Sequence, residues 1–245
     1  GFAFFALFGM IFLLTQYLQF VRGYTALEAG YRLIPIALGI MIGASQSHRW
    51  VARFGTPKVV STAMVGLAVI MGAMALWGSG TEYWIVGTML FLMAAMMGNV
   101  MAPSTESVMG ALPAAKAGVG SAMNDLVRQV AGALGVAVIG SAVNTVYANR
   151  MSDAVTNLPP QAAEPAGDSV GAALRIAADV GGPQGAALAS AANDAFMDAF
   201  GIAAVIAAGL LLVGSFLVRR YLPAEDPTEQ HVALEGSSYV GPVPR

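Results

Sequence analysis

The chain has no cysteine and only two histidines, His48 and His231. Disulfides, thiolate metal sites and cysteine nucleophiles are therefore excluded, and there is too little imidazole for histidine clusters. Charge is scarce as well: Asp, Glu, Lys and Arg make up 11% of the 245 residues, where a soluble domain carries about 25%. Twelve basic against fourteen acidic residues leave a net charge of −2, which gives nucleic acid no basic footprint. What is abundant is apolar, with 57% hydrophobic residues and a mean hydropathy of +0.68. Too little polar surface remains to coat a soluble globule, so the sequence is that of a membrane protein.

A bilayer core about 30 Å thick takes about 20 mostly apolar residues per helix. Six stretches qualify: 2–21, 33–50, 59–77, 83–107, 117–147 and 196–218. Within lipid a helix satisfies its own backbone and an open sheet does not, so the expected fold class is an all-α membrane protein with six transmembrane helices. Trp50, Trp77, Trp84, Tyr83, Tyr147 and Tyr221 all fall at predicted helix ends, where amphipathic rings anchor at the interface. With the N-terminus inside, the cytoplasmic connections hold Arg49, Arg53, Lys58, Lys116, Arg219 and Arg220, against Arg22, Arg32 and Arg150 outside. That asymmetry favours a multi-pass protein of the plasma membrane with both termini cytoplasmic. The first run lacks the basic leading region of a signal peptide and starts at Gly1, so the chain is expected to begin inside a longer protein.

Residues 148–195, rich in Ala, Pro and Gly, are expected to form a solvated extracytoplasmic connection. Their middle, 168–179, has the pattern for a short surface helix through Val170, Leu174 and Ile176. Residues 223–245, with several prolines and acids, are expected to be a disordered cytoplasmic tail.

Polar residues are costly in hydrocarbon, so their distribution separates lining helices from lipid-facing ones. The third and sixth runs carry few and look peripheral. The first places Thr15, Gln16 and Gln19 in its outer half, at helical spacings that share a face. The fourth places Asn99, Pro103 and Glu106 on one face. The fifth carries Ser121, Asp125, Arg128, Gly132 and Gly135 as a continuous stripe, with Gly132, Gly135 and Gly140 allowing close approach of another backbone. Thr15, Gln16, Gln19 and Asn99 are cavity candidates, the glutamines serving equally as interhelical glue. Glu106, Asp125 and Arg128, at matching depths, suit either a structural latch or a proton-coupling network. No histidine has a metal partner at helical spacing, and Ser121 does not sit in a nucleophile elbow, so neither an enzyme nor a metal or cofactor site is expected.

Three stretches resemble the C-terminal half of a major facilitator superfamily transporter, in its fourteen-helix drug:proton antiporter branch. They are Leu14–Gln19 with Gly23–Gly30 and Pro35, then Arg53–Lys58, then Pro103–Met109 with Pro113, Ala117–Ala122, Asn124, Arg128-Gln129 and Gly132–Ala137. The resemblance implies a six-helix half-bundle over residues 1–222 corresponding to helices nine to fourteen. Arg53, Gly55 and Lys58 resemble the second-half copy of the family's cytoplasmic loop signature, although His48 and Ala52 stand where that signature has glycine and aspartate. It also implies that the first, second, fourth and fifth helices line the path. The function expected is the C-terminal portion of a proton-coupled exporter of drugs or other small hydrophobic compounds. Its partners would be substrate, protons, the bilayer and the missing N-terminal helices or a second half-bundle. The alternative is a half-length unit that works only as an oligomer, or not at all alone.

Overall fold

The computed structural model describes residues 1–110, 113, 116–156 and 158–222, and no strand occurs among them. Six helical segments are long and apolar enough to cross a bilayer. The described chain is thus all-α, with the six spans that the sequence resemblance implies. The expected tail at 223–245, with His231, lies outside the described residues.

Helix α1 (Phe2–Gln16) continues without a break through a π turn, Tyr17–Val21, in which the Arg22 amide reaches back five residues to the Tyr17 carbonyl at 3.0 Å. A short helix, α2 (Ala26–Arg32), opens with a reciprocal cap. The Glu28 amide donates to Thr25 Oγ1 at 3.2 Å and the Thr25 amide donates to Glu28 Oε2 at 2.9 Å. Then come α3 (Ile34–Phe54) and α4 (Thr56–Met74), separated by Gly55 alone. Its φ of +82° is strained for side-chain-bearing residues, and Pro57 then presets the first turn of α4. Two long helices follow, α5 (Tyr83–Gly110) and α6 (Ala117–Met151).

The segment 148–195 is not a solvated linker. It contains α7 (Pro160–Asp168) and α8 (Val170–Val180), and α9 (Gly182–Tyr221) begins inside it. Val170, Ala173 and Ala177 of α8 are buried, and α8 packs along α9. The buried Tyr147 hydroxyl donates to the Ala166 carbonyl at 3.1 Å and fastens α7 to the end of α6. An exposed ion pair, Arg150–Asp198 at 3.2 Å, joins α6 and α9 at the same level. The last spanning helix therefore starts at Gly182 rather than at 196, and the fifth runs on to Met151. At 1.5 Å per residue the 40 residues of α9 extend about 60 Å, twice the hydrocarbon thickness.

The bundle consists of two groups of three helices. In one, α1 lies against α6 and α9; in the other, α3 and α4 both pack on α5; α4 and α9 join the groups. Where the groups meet, Tyr17, Trp77 and Phe200 form a buried aromatic core, with Trp77 stacked on Phe200 at 5.8 Å between centroids. Trp77 is thus a core residue and not the interfacial anchor expected from its position at a helix end. Its indole Nε1 donates to Met89 Sδ at 3.1 Å. Tyr147 is likewise buried, whereas Trp50 and Trp84 are exposed.

The α1–α2 and α4–α5 connections are tied together at one end of the bundle. Arg22 donates to the Ser79 carbonyl at 2.9 Å, the Tyr83 hydroxyl donates to the Arg32 carbonyl at 3.0 Å, and the Arg32 guanidinium lies 3.7 Å from the Tyr24 ring centroid. A hydrogen bond from Arg22 holds the Tyr24 phenol below its ordinary pKa.

Candidate functional site

A cavity of about 300 Å³ opens between α1 and α6 under the α7–α8 turn. Phe12 and Gln16 face it from α1, Gly140 and Asn144 from α6, Asp168 from the turn, and Phe196 from α9. Aromatic walls with a few amide and carboxylate groups suit a small amphipathic molecule. Gln16 is half-buried here.

Gln19, expected on the same face as Gln16, is not among the residues lining this cavity. The π turn intervenes between them: it takes more residues per turn than an α-helix, so a spacing of three no longer brings side chains into line. Thr15 also does not line it, and its hydroxyl donates to the Ile11 carbonyl of its own helix at 2.9 Å. Asn99 belongs elsewhere. It lines a groove of about 590 Å³ between α3, α4 and α5, and its Nδ2 donates to the Ala95 carbonyl at 2.9 Å. Pro103, buried one turn on, has no N–H to offer the Asn99 carbonyl. The four cavity candidates thus do not converge on one cavity within this chain.

The charged residues are also arranged differently from the expected latch. Among the described residues Arg128 makes no ion pair with Glu106 or Asp125, both of which are exposed. Instead Arg128 Nη2 donates to Thr105 Oγ1, and its guanidinium lies 5.0 Å from the Phe4 ring centroid. The link between α5 and α6 therefore exists, but a hydroxyl one residue before Glu106 makes it. A threonine in an apolar run carries no charge signal, and sequence reasoning passed over it.

The α6 stripe divides in two. Ser121 and Asp125 are exposed, while Gly132 and Gly135 are buried against α1. Any side chain at Gly135 would run into the Phe5 backbone, and at Gly132 a Cβ would stand 3.1 Å from the Phe8 ring. Gly140 is looser, at 3.5 Å from Phe12. A second seam was not foreseen. Gly39 and Gly43 of α3 meet Gly98 and its neighbours on α5, with no room for a Cβ at Gly43 beside the Ala95 carbonyl.

Arg53 and Lys58 are exposed on either side of the turn at Gly55, with the Arg53 guanidinium 5.3 Å from the Phe54 ring centroid. Among the described residues no group of three or more His, Asp or Glu side chains is placed to hold a metal.

Six apolar helices with small-residue seams between them, and cavities that hold Gln16 and Asn99, define a multi-pass membrane bundle. Residues 1–136 match the family model of the Major Facilitator Superfamily. The chain belongs to that superfamily. It is similar to the multidrug efflux pump LfrA of Mycolicibacterium smegmatis, 27% identical over 212 residues, covering 86% of this chain and 42% of LfrA. It is also similar to the tetracenomycin C resistance and export protein of Streptomyces glaucescens, 28% identical and covering 92% of this chain and 44% of that protein. The methyl viologen resistance protein SmvA of Salmonella typhimurium is 26% identical, with 84% and 41% covered. The chain spans less than half the length of these relatives.

Proposed function

We propose that the chain is the C-terminal portion of a fourteen-helix, proton-coupled exporter of drugs or other small hydrophobic compounds. It would work by alternating access in the plasma membrane, with both termini cytoplasmic. The observation that carries this reading is the position of Gln16, a polar side chain in an aromatic-walled cavity within the first span. The export and resistance functions in the names of its relatives support it, as does the match over less than half of their length. So does the surface of the bundle. Among the six spans, the stretches containing α3 and α6 have the smallest shares buried within the chain, 17% and 22%. Their open faces would receive the helices of the other half, with substrate held between the halves.

In this reading Gln16, Gln19, Thr15 and Asn99 contact substrate once both halves are assembled. Glu106 and Asp125 are the carboxylates available for proton coupling near Arg128, and Arg53, Gly55 and Lys58 form a cytoplasmic loop that steers closure. Gln16→Leu and Asn99→Leu, made in cells expressing the whole transporter, should change which compounds are exported while protein levels hold. An unchanged resistance profile at unchanged level overturns the substrate role. Crosslinking through cysteines placed on α3 and α6 distinguishes the arrangements. Bonds to a second copy of the same chain would favour the oligomeric half-transporter.

A further inference from the structure

The groove that holds Asn99 has the chemistry of a lipid site. Helices α3 and α4 diverge from the single-residue turn at Gly55 and both lean on α5, which leaves a lateral trough between them with Met96 on its floor. Ile42, Trp50 and Phe54 form one wall and Val59 lies on the other. Trp50 and Phe54 stack at 5.8 Å between centroids with their planes 18° apart, giving a flat apolar strip. Both are exposed.

Two cations line the same groove, Lys58 and Arg219. Their meeting follows from a contact deeper in the bundle. The buried Ser215 Oγ of α9 donates to the Ser61 carbonyl of α4 at 2.8 Å. The two helices run in opposite directions here, so one turn back from Ser61 and one turn on from Ser215 bring Lys58 and Arg219 to the same level. Lys58 also lies in the first turn of α4, at the positive end of that helix. Among the described residues no carboxylate lines the groove. Deeper along α3, the Gln46 amide offers donors at the level of an ester carbonyl.

We propose that this groove binds an anionic phospholipid, its phosphate held by Lys58 and Arg219, its glycerol region flanked by Trp50 and Phe54, and its acyl chains laid deeper along Ile42, Ala95 and Met96. An apolar trough closed at one end by two cations matches a molecule with an anionic head and long apolar tails. It is a poor match for a free anion, which would gain nothing from the apolar wall. Asn99 lines this groove and also stands among the substrate contacts proposed above, so bound lipid and the Asn99 part of that reading exclude one another; the orientation proposed above sets which leaflet supplies the lipid.

The test is lipid retention. Purified protein is equilibrated with mixed micelles holding equal phosphatidylglycerol and phosphatidylcholine, and the lipid that remains bound is measured by native mass spectrometry. Enrichment of phosphatidylglycerol by about tenfold is expected, since each near-surface cation adds appreciably to anionic-lipid binding. The double substitution Lys58→Gln with Arg219→Gln should bring the ratio to about one. Arg175→Gln on α8, away from the groove, should leave it unchanged. Thr62→Trp, at an exposed position on the groove wall, should expel the lipid with both cations intact. Equal retention of the two lipids by the unsubstituted protein overturns the proposal without reference to any variant. Displacement of phosphatidylglycerol by inorganic phosphate alone, with Thr62→Trp silent, would assign the cations to a soluble anion and overturn it too.

Discussion

At Gly135 a single methyl group would collide with the Phe5 backbone, and backbone cannot rotate out of the way. Gly135→Ala is therefore expected to cost about 1–3 kcal/mol or more, read as a fall in thermal unfolding temperature in detergent. Gly140→Ala, with an ordinary contact to Phe12, should stay within about 0.5 kcal/mol. A second residue-scale prediction concerns Arg128. Thr105→Val removes its hydrogen-bond acceptor and should lower stability by about 1 kcal/mol, whereas Glu106→Gln on the exposed side should not. The losses from Thr105→Val and Arg128→Ala should be non-additive in a double-mutant cycle; additive losses would mean the pair is not coupled. The sequence exposes some of this and hides the rest. Gln16 and the buried glycines stand out because a polar or side-chain-free residue in an apolar run needs a reason. Thr105 needs none, since a threonine can satisfy itself on its own helix, as Thr15 does. Asn193 gives no signal in the sequence either. Its Oδ1 is buried without a donor among the described residues, so Asn193→Leu is expected to be neutral or stabilising in the same unfolding assay.

Among the elements, the spanning helices were legible because an unbroken apolar run of about 20 residues fits little besides a membrane span. Of the α7–α8 pair, α8 was legible as the short helix expected over 168–179, while α7 and the burial of α8 were hidden by composition. Alanine buries little area and contributes little contrast, so Val170, Ala173 and Ala177 form a core-facing stripe that hydropathy barely registers. The punctuation was plainer. Gly181 and Gly182 both take positive φ, +63° and +58°, and Pro183 opens α9 directly after them. The π turn after Gln16 has no such marker. No proline or glycine announces it, and the buried Tyr17 and Leu18 lie within it. Attachment of α7–α8 can be tested by limited trypsin digestion at Arg175. Val170→Asp places a charge in the buried seam, and Tyr147→Phe removes the bond to Ala166. Each should speed cleavage, Val170→Asp by about tenfold and Tyr147→Phe by less, as about 1 kcal/mol of one hydrogen bond requires. An unchanged rate for Val170→Asp would show that α8 is not seated as described.

For the molecule as a whole, the absence of cysteine makes topology directly measurable. A cysteine at Asp168 should react with an impermeant thiol reagent on intact cells, and one at Lys58 only after lysis. The reverse pattern would invert the proposed orientation. The division into two three-helix groups was not readable from composition, because it depends on which small-residue seams find each other. The seam at Gly43 and Gly98 joins α3 to α5, and the seam at Gly9 and Gly135 joins α1 to α6.

One helix belongs to both ends. From Leu188, buried close to α8, to Ser215, bonded to α4, α9 runs without interruption. A rod about 60 Å long that tilts by about 5° moves its far end by about 5 Å, the span of one helical turn. It is thus a lever arm. A rotation of about 5° at the Ser61 contact would shift Phe196, 19 residues and about 28 Å along the helix from Ser215, by about 2.5 Å at the mouth of the Gln16 cavity, and would carry the Phe200–Trp77 stack with it.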